Sequence, residues 1–229
     1  MLRPFLLKPA CKDYLWGGEQ LKTLYHKHTD ITPLAETWEC SVHPDGPSTI
    51  ITGPYAGYTL REFLCLFPQA MGRHGKMYGE LPILIKLIDA EKDLSIQVHP
   101  DDAYAKKHEG QLGKTELWYV LRAQAGATLV YGFAHDVTPQ LVRQAIAQNT
   151  LMRHMQAVPV HEGDVFLIEP GTIHAIGGGV LLAEVQESSN ITYRVYDYGR
   201  RDKLGNLRQL HIEKALSVMN FKAAPLIRQ

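Results

Sequence analysis

After Leu81 the chain breaks into short segments rich in β-branched and aromatic residues, most of them bounded by Gly or Pro. They cover residues 83–88, 94–98, 116–121, 128–131, 165–168, 180–186 and 192–196. Stiff branched side chains suit a pleated surface, and punctuation this frequent leaves little room for long helices, so each segment reads as a strand. Many short strands with turns between them bury their apolar faces by closing or stacking the sheet, which predicts a sandwich, jelly roll or barrel. The first segment, Ile83-Leu84-Ile85-Lys86-Leu87-Ile88, is apolar apart from Lys86 and reads as a strand buried on both faces.

Two helices interrupt the series. Thr138-Pro139 pairs a capping hydroxyl with Pro at the first helical position, predicting a helix over 138–148 with Val142 and Ile146 on one face. Residues 212–219 read as a second helix, and both are expected on the outside of the strands. The first eighty residues read as loop-rich, punctuated by Trp16-Gly17-Gly18, Pro44-Asp45-Gly46-Pro47 and Gly53-Pro54. Within them Thr59 and Glu62 have the spacing of a capping box, so a helix opens there. No repeat, low-complexity tract or long linker divides the chain. It reads as one mainly β domain over 1–229, with a loop- and helix-rich part (1–80), a barrel core (81–200) and a C-terminal helix and tail (201–229).

Charge narrows the partner. With 24 basic and 24 acidic side chains the formal net charge is zero, which favours neither nucleic acid nor a membrane surface and points to a small molecule. Cys11, Cys40 and Cys65 form no C-x-x-C pair and are an odd number, so they read as reduced, buried thiols. The start, Met1-Leu2-Arg3-Pro4-Phe5, lacks the apolar stretch of a secretion signal, and no run is long enough to span a bilayer. A cytoplasmic location is the expectation.

Three segments carry chemistry: Gln97-Val98-His99-Pro100-Asp101-Asp102, Gly113-Lys114-Thr115-Glu116 and Pro170-Gly171-Thr172-Ile173-His174. Gln97 and His99 project to one face of a strand, because side chains alternate. Glu116 opens the next long strand, and His174 follows a Pro-Gly turn. If these strands are neighbours, two imidazoles, a carboxylate and an amide converge inside the barrel, a donor set compatible with catalytic zinc. The mundane alternative is that two of eleven histidines lie beside strands as surface or hydrogen-bonded core residues.

Residues 163–174, with Gly163, then Pro170-Gly171, then His174, resemble the second signature of the cupin superfamily. Trp16-Gly17-Gly18, Ala35-Glu36-Thr37-Trp38-Glu39-Cys40-Ser41, Leu94-Ser95-Ile96-Gln97-Val98-His99-Pro100-Asp101 and Gly113-Lys114-Thr115-Glu116 resemble the ordered motifs of type I phosphomannose isomerases. So does the stretch 184–198, which carries Glu184, Asn190 and Arg194. The resemblance runs from about Trp16 to Met219, with the motifs in family order.

The resemblance implies a cupin-type jelly-roll barrel that interconverts mannose 6-phosphate and fructose 6-phosphate through a cis-enediol. It implies one zinc ion (Zn2+) per chain held by Gln97, His99, Glu116 and His174. It sets Lys86 and Ser95 near the substrate phosphate, and Lys114, Glu184 and Arg194 in or beside the catalytic pocket. A lone ammonium inside residues 83–88 is costly to bury unpaired, so Lys86 is expected at a strand end facing an anion. Two departures stand out. Family members often carry Asp where this chain has Asn190, which removes any proton-transfer role there. Family members also commonly continue into a further β domain, whereas this sequence stops at Gln229 and reads as the catalytic portion alone. Two other readings stay open: an isomerase of another, unphosphorylated sugar, and a non-catalytic sugar-binding or regulatory cupin. Oligomeric state stays open too.

Overall fold

The computed structural model describes residues 3–201 and 204–225. Met1, Leu2 and residues 226–229, on which the reading of the chain ends partly rests, lie outside the described residues. The strands in chain order are β1 (Leu7–Lys8), β2 (Ala10–Lys12), β3 (Glu36–Cys40), β4 (Thr49–Ile50), β5 (Ile83–Ala90), β6 (Ile96–Val98) and β7 (Glu116–Ala123). They continue with β8 (Thr128–Phe133), β9 (Met155–Pro159), β10 (Val165–Ile168), β11 (His174–Ile176), β12 (Val180–Glu187) and β13 (Tyr193–Tyr196). A six-stranded sheet has the order β10-β7-β12-β5-β3-β2, and a five-stranded sheet the order β13-β6-β11-β8-β9. β1 and β4 form a separate pair. The pairings between these strands are antiparallel.

The two larger sheets face each other across a shared core. One cluster joins Ile88, Trp118, Phe166 and Leu182 of the six-stranded sheet to Leu129, Val158 and Ile176 of the other. Alternation explains which side chains meet there. In β7, Glu116, Trp118 and Val120 are buried, while Leu117 and Tyr119 between them are 38% and 44% exposed. This is the mainly β jelly-roll barrel that the family resemblance implies, one of the closures the strand series left open.

The structure corrects that reading in several places. β5 is buried most deeply on its barrel face, where Leu84, Lys86 and Ile88 lie; its other face is exposed at Ile83 (37%) but covered further along, where Leu87 packs against Leu21, Leu34 and Leu181 and Asp89 is buried. Lys86 therefore stands mid-strand, not at a strand end. The segment read as loop-rich supplies β2 and β3 to the six-stranded sheet, with Trp38 opposite Lys86 in register. β3 escaped notice because two of its residues, Glu36 and Glu39, break any apolar pattern. β9 and β11 were also missed: β11 is three residues long, opens on a histidine, and is recognisable only by its place between β6 and β8. The thiols are free, but Cys11 and Cys40 are half-buried and Cys65 is exposed, not buried as a set.

Helix starts were easier to read. Thr59 Oγ1 accepts from the Glu62 N–H at 3.2 Å, and Glu62 Oε2 accepts from the Thr59 N–H at 2.7 Å, completing the capping box of Leu60–Leu66. Thr138 Oγ1 accepts from the Leu141 N–H at 3.2 Å and so caps Pro139–Ala147 without a reciprocal bond, and that helix buries Val142, Ala145 and Ile146. Ile212–Val218 buries Ala215. A further helix, Asp102–His108, starts where Asp101 accepts from the Tyr104 N–H at 2.8 Å. Gly113 returns the chain against this helix start. A Cβ there would lie 2.5 Å from both the Asp101 carbonyl carbon and the Asp102 nitrogen, so only glycine lets Lys114 follow on this path. No helix among the described residues is long and apolar enough to cross a membrane.

Candidate metal centre and active-site pocket

Sheet register assembles the site. Gln97 in β6 stands opposite His174 of β11 on one side and Arg194 of β13 on the other, so the three form a row across neighbouring strands. Glu116 enters from β7 of the facing sheet. Its Oε1 lies 3.3 Å from His99 Nε2, and its Oε2 lies 3.6 Å from His174 Nε2. His99, Glu116 and His174 each offer a donor atom within 4.8 Å of the others, and all three are buried.

The hydrogen bonds around these donors suit a cation. His174 Nδ1–H donates to the Thr172 carbonyl at 2.8 Å, leaving the Nε2 lone pair facing Glu116 and Gln97. Gln97 Nε2 lies 3.4 Å from His174 Nε2, and turning the amide over presents its oxygen at the same place. His99 Nδ1 and both Glu116 oxygens are buried without an aligned hydrogen bond. Lys114 Nζ lies 2.7 Å from Glu116 Oε1 as an ion pair, and 3.5 Å from His99 Nε2. Burial, with the Lys114 charge, pushes His99 down to about 3, and burial also lowers His174. Burial works against ionisation of Glu116, but Lys114 and His99 outweigh it and hold the carboxyl well below its usual range. Two neutral imidazoles, one carboxylate and one amide oxygen fit a borderline divalent ion; zinc, iron, manganese and cobalt all accept such a set.

Above this cluster opens a cavity of ≈ 280 Å³ lined by Lys86, Ser95, Gln97, Lys114, Glu184 and Arg194. All six were singled out in the sequence, and His99, Glu116 and His174 complete the set behind its wall. Glu184 of β12 faces Lys86 of β5 in register, with Oε1 3.0 Å from Lys86 Nζ. Its Oε2 accepts from Trp118 Nε1–H at 2.8 Å. Burial and the nearby Glu116 charge raise Glu184 above the usual carboxylate range, against the pull of Lys86. Burial disfavours the Lys86 ammonium, yet Glu184 and Glu36 prevail and raise its pKa, so it stays charged. Glu36 Oε2 lies 3.9 Å from Lys86 Nζ and accepts from Trp38 Nε1–H at 2.7 Å; the Trp38 ring centroid is 5.1 Å from the ammonium. Two carboxylates and an indole, not a strand-end position, resolve the cost of burying Lys86.

Arg194 Nε–H donates to Ser95 Oγ at 3.1 Å, and its Nη1–H to the Gln209 carbonyl at 3.1 Å. Burial, with Arg208 close by, lowers it to about 10, which leaves it charged at neutral pH. Asn190 also lines the cavity, and its Nδ2–H donates to Asp45 Oδ2 at 2.9 Å, a tie that an Asp at 190 would turn into repulsion. The sequence reading missed Tyr14, Arg208 and His211, which also line the cavity, and named Glu36 only as part of a motif. The apolar gap in β3 was the one signal for Glu36. Arg208 and His211 had none, since they reach the cavity from the tail.

Comparison with known proteins identifies the family. Residues 5–127 match the family described as phosphomannose isomerase type I, catalytic domain. A mannose-6-phosphate isomerase of Streptococcus mutans is 39% identical over 226 residues, covering 96% of this chain and 69% of its own length. A probable mannose-6-phosphate isomerase of Bacillus subtilis is 41% identical over 223 residues, with 96% and 70% covered. The crystal structure of mannose 6-phosphate isomerase from Bacillus subtilis shares the cupin-type fold with a TM-score of 0.89 at 36% identity, over 96% of this chain and 69% of that one. With the motifs, the barrel and the buried donor cluster all in agreement, the chain belongs to the type I phosphomannose isomerases.

Proposed function

We propose that this chain interconverts mannose 6-phosphate and fructose 6-phosphate through a cis-enediol, with one zinc ion held by Gln97, His99, Glu116 and His174. The observation that carries the reading is one cavity in which a buried two-His, one-carboxylate cluster adjoins a raised carboxylate and two cations, Lys114 and Arg194. An aldose–ketose exchange moves a proton from C2 to C1 while negative charge gathers on oxygen. Bound in this cluster, zinc supplies Lewis acidity for that charge.

The side chains supply the rest. Glu184 takes the C2 proton and returns it to C1; its raised pKa brings it nearer the operating pH than an ordinary carboxylate. Lys86 and Trp118 hold it ionised and oriented at 3.0 Å and 2.8 Å. Arg194 and Lys114 offer fixed positive charge to the developing enediolate. Ser95, hydrogen-bonded to Arg194, keeps that guanidinium in place and shares the substrate cavity. The charge of Lys86 is already balanced by Glu184 and Glu36, so Lys86 supports Glu184 in place of binding phosphate.

The test is to purify the protein without added metal, quantify bound metals, and assay the same sample for conversion of mannose 6-phosphate. About one zinc per chain, with turnover abolished by a chelator and restored by zinc, is the expected result. Folded protein with neither metal nor turnover would overturn the reading. Metal and tight substrate binding without turnover would replace it with the sugar-binding one.

A further inference from the structure

The charged groups of the cavity divide into two sets. In the buried set, two ammonium groups, Lys86 and Lys114, meet three carboxylates, Glu36, Glu116 and Glu184. That excess of negative charge suits a divalent cation. Around β13 and the tail, among the described residues, three guanidinium groups, Arg194, Arg200 and Arg208, cluster about one carboxylate, Asp197. Arg194 has no ion-pair partner among the described residues; its hydrogen bonds go to Ser95 Oγ and the Gln209 carbonyl. Arg200 is consumed by the fold. It donates to the Asp197 carbonyl, to Asp197 Oδ1 and to the Asp93 carbonyl, and is absent from the cavity wall. Arg208 does line the cavity. Among the described residues its guanidinium makes one hydrogen bond, Nη1–H to Asp197 Oδ1 at 3.3 Å, and its side chain is 25% exposed against 4% for Lys86.

The tail is clamped so that this cation is held in place. His211 N–H donates to the Arg194 carbonyl at 2.7 Å, and His211 Nδ1 accepts from the Arg194 N–H at 3.3 Å. With Nδ1 as acceptor, the ring proton of neutral His211 sits on Nε2 as a spare donor, and His211 also lines the cavity. A phosphate monoester carries about −1.5 to −2 charges at neutral pH and pairs best with a planar, forked guanidinium.

We propose that Arg208 and His211 form the subsite for the phosphoryl group of the substrate, leaving Arg194 to the developing enediolate. The assignment rests on the sugar-phosphate isomerase reading and deepens it by moving phosphate recognition from Lys86 to the tail.

Inorganic phosphate is the probe, titrated into metal-loaded protein by calorimetry and used as a competitive inhibitor. Arg208→Gln is expected to weaken phosphate binding about tenfold or more and to raise KM for mannose 6-phosphate by a similar factor, with kcat changed by less than about twofold. Arg208→Lys should recover part of the loss, because it restores charge without the fork. His211→Asn keeps an acceptor for the Arg194 N–H but loses the Nε2 donor, and should show a smaller KM effect; it also decides the matter if Arg208→Gln proves unfolded in a thermal melt. Unchanged phosphate affinity in folded Arg208→Gln, or a fall in kcat at constant KM, would overturn the subsite. The two readings fail separately. Wild-type protein that binds phosphate through Arg208 but never turns over mannose 6-phosphate keeps the subsite and loses the isomerase. Normal turnover with phosphate binding indifferent to Arg208 and His211 loses the subsite alone.

Discussion

Lys86→Met tests whether the buried ammonium is a structural and supporting charge. Methionine keeps much of the aliphatic volume and removes the cation. In the folded protein Lys86 is 3% exposed, with Glu184 at 3.0 Å, Glu36 at 3.9 Å and the Trp38 ring beside it. Its loss leaves two buried carboxylates, Glu36 and Glu184, without an ion-pair partner among the described residues. Removing one partner of a buried pair costs about 3–5 kcal/mol. For a chain of this size each kcal/mol lowers Tm by roughly 2–4 °C, so the expected drop is roughly 6–20 °C. The deficit should depend on pH. Glu184 is already raised by burial and Glu116, and losing Lys86 raises it further. A carboxylate whose folded pKa exceeds its unfolded value binds more protons when folded, so stability is regained as pH falls through the folded pKa. The deficit is complete above that pKa and disappears below the ordinary carboxylate range. Thermal and urea unfolding of wild type and variant, both with metal content measured, at about pH 8 and about pH 5.5 will show this. A variant within about 1 kcal/mol of wild type at the higher pH would refute the reasoning, as would a deficit that does not shrink on acidification.

Glu116→Gln should lose metal and activity together, because it removes the one anionic donor and leaves Lys114 facing an amide; metal content measured beside turnover checks it. Arg194→Ala should lower kcat by about 10²–10³ while metal stays bound, since it removes charge stabilisation and no donor. Normal turnover would remove Arg194 from that role. Gly113→Ala would set a Cβ 2.5 Å from the backbone of Asp101 and Asp102, displacing the neighbouring Lys114. A shift of about 1 Å there is expected to cost about 10²-fold in kcat/KM, and kinetics on folded variant protein would reveal it.

Some of this protein was legible residue by residue. Strands such as β10, with Val165 and Leu167 outward and Phe166 and Ile168 inward, carry their alternation in their own side chains. The caps at Thr59 and Thr138 act within three residues, so spacing alone reveals them. The residue types able to hold a metal were equally plain, and the motif resemblance named them as a set. What no local pattern contains is register between distant segments. Long-range antiparallel pairing brings Trp38 opposite Lys86 and aligns His174, Gln97 and Arg194 in one row. It also gives Lys86 its two carboxylates, where an isolated ammonium in an apolar run had suggested a strand end. Arg208 and His211 reach the cavity only because the tail bonds back onto Arg194. The sequence by itself determined the strand series, the helix starts and the donor chemistry, because these depend on near neighbours. Tertiary structure alone decided which charges meet, because charge balance in a buried site is set by the packing of two facing sheets.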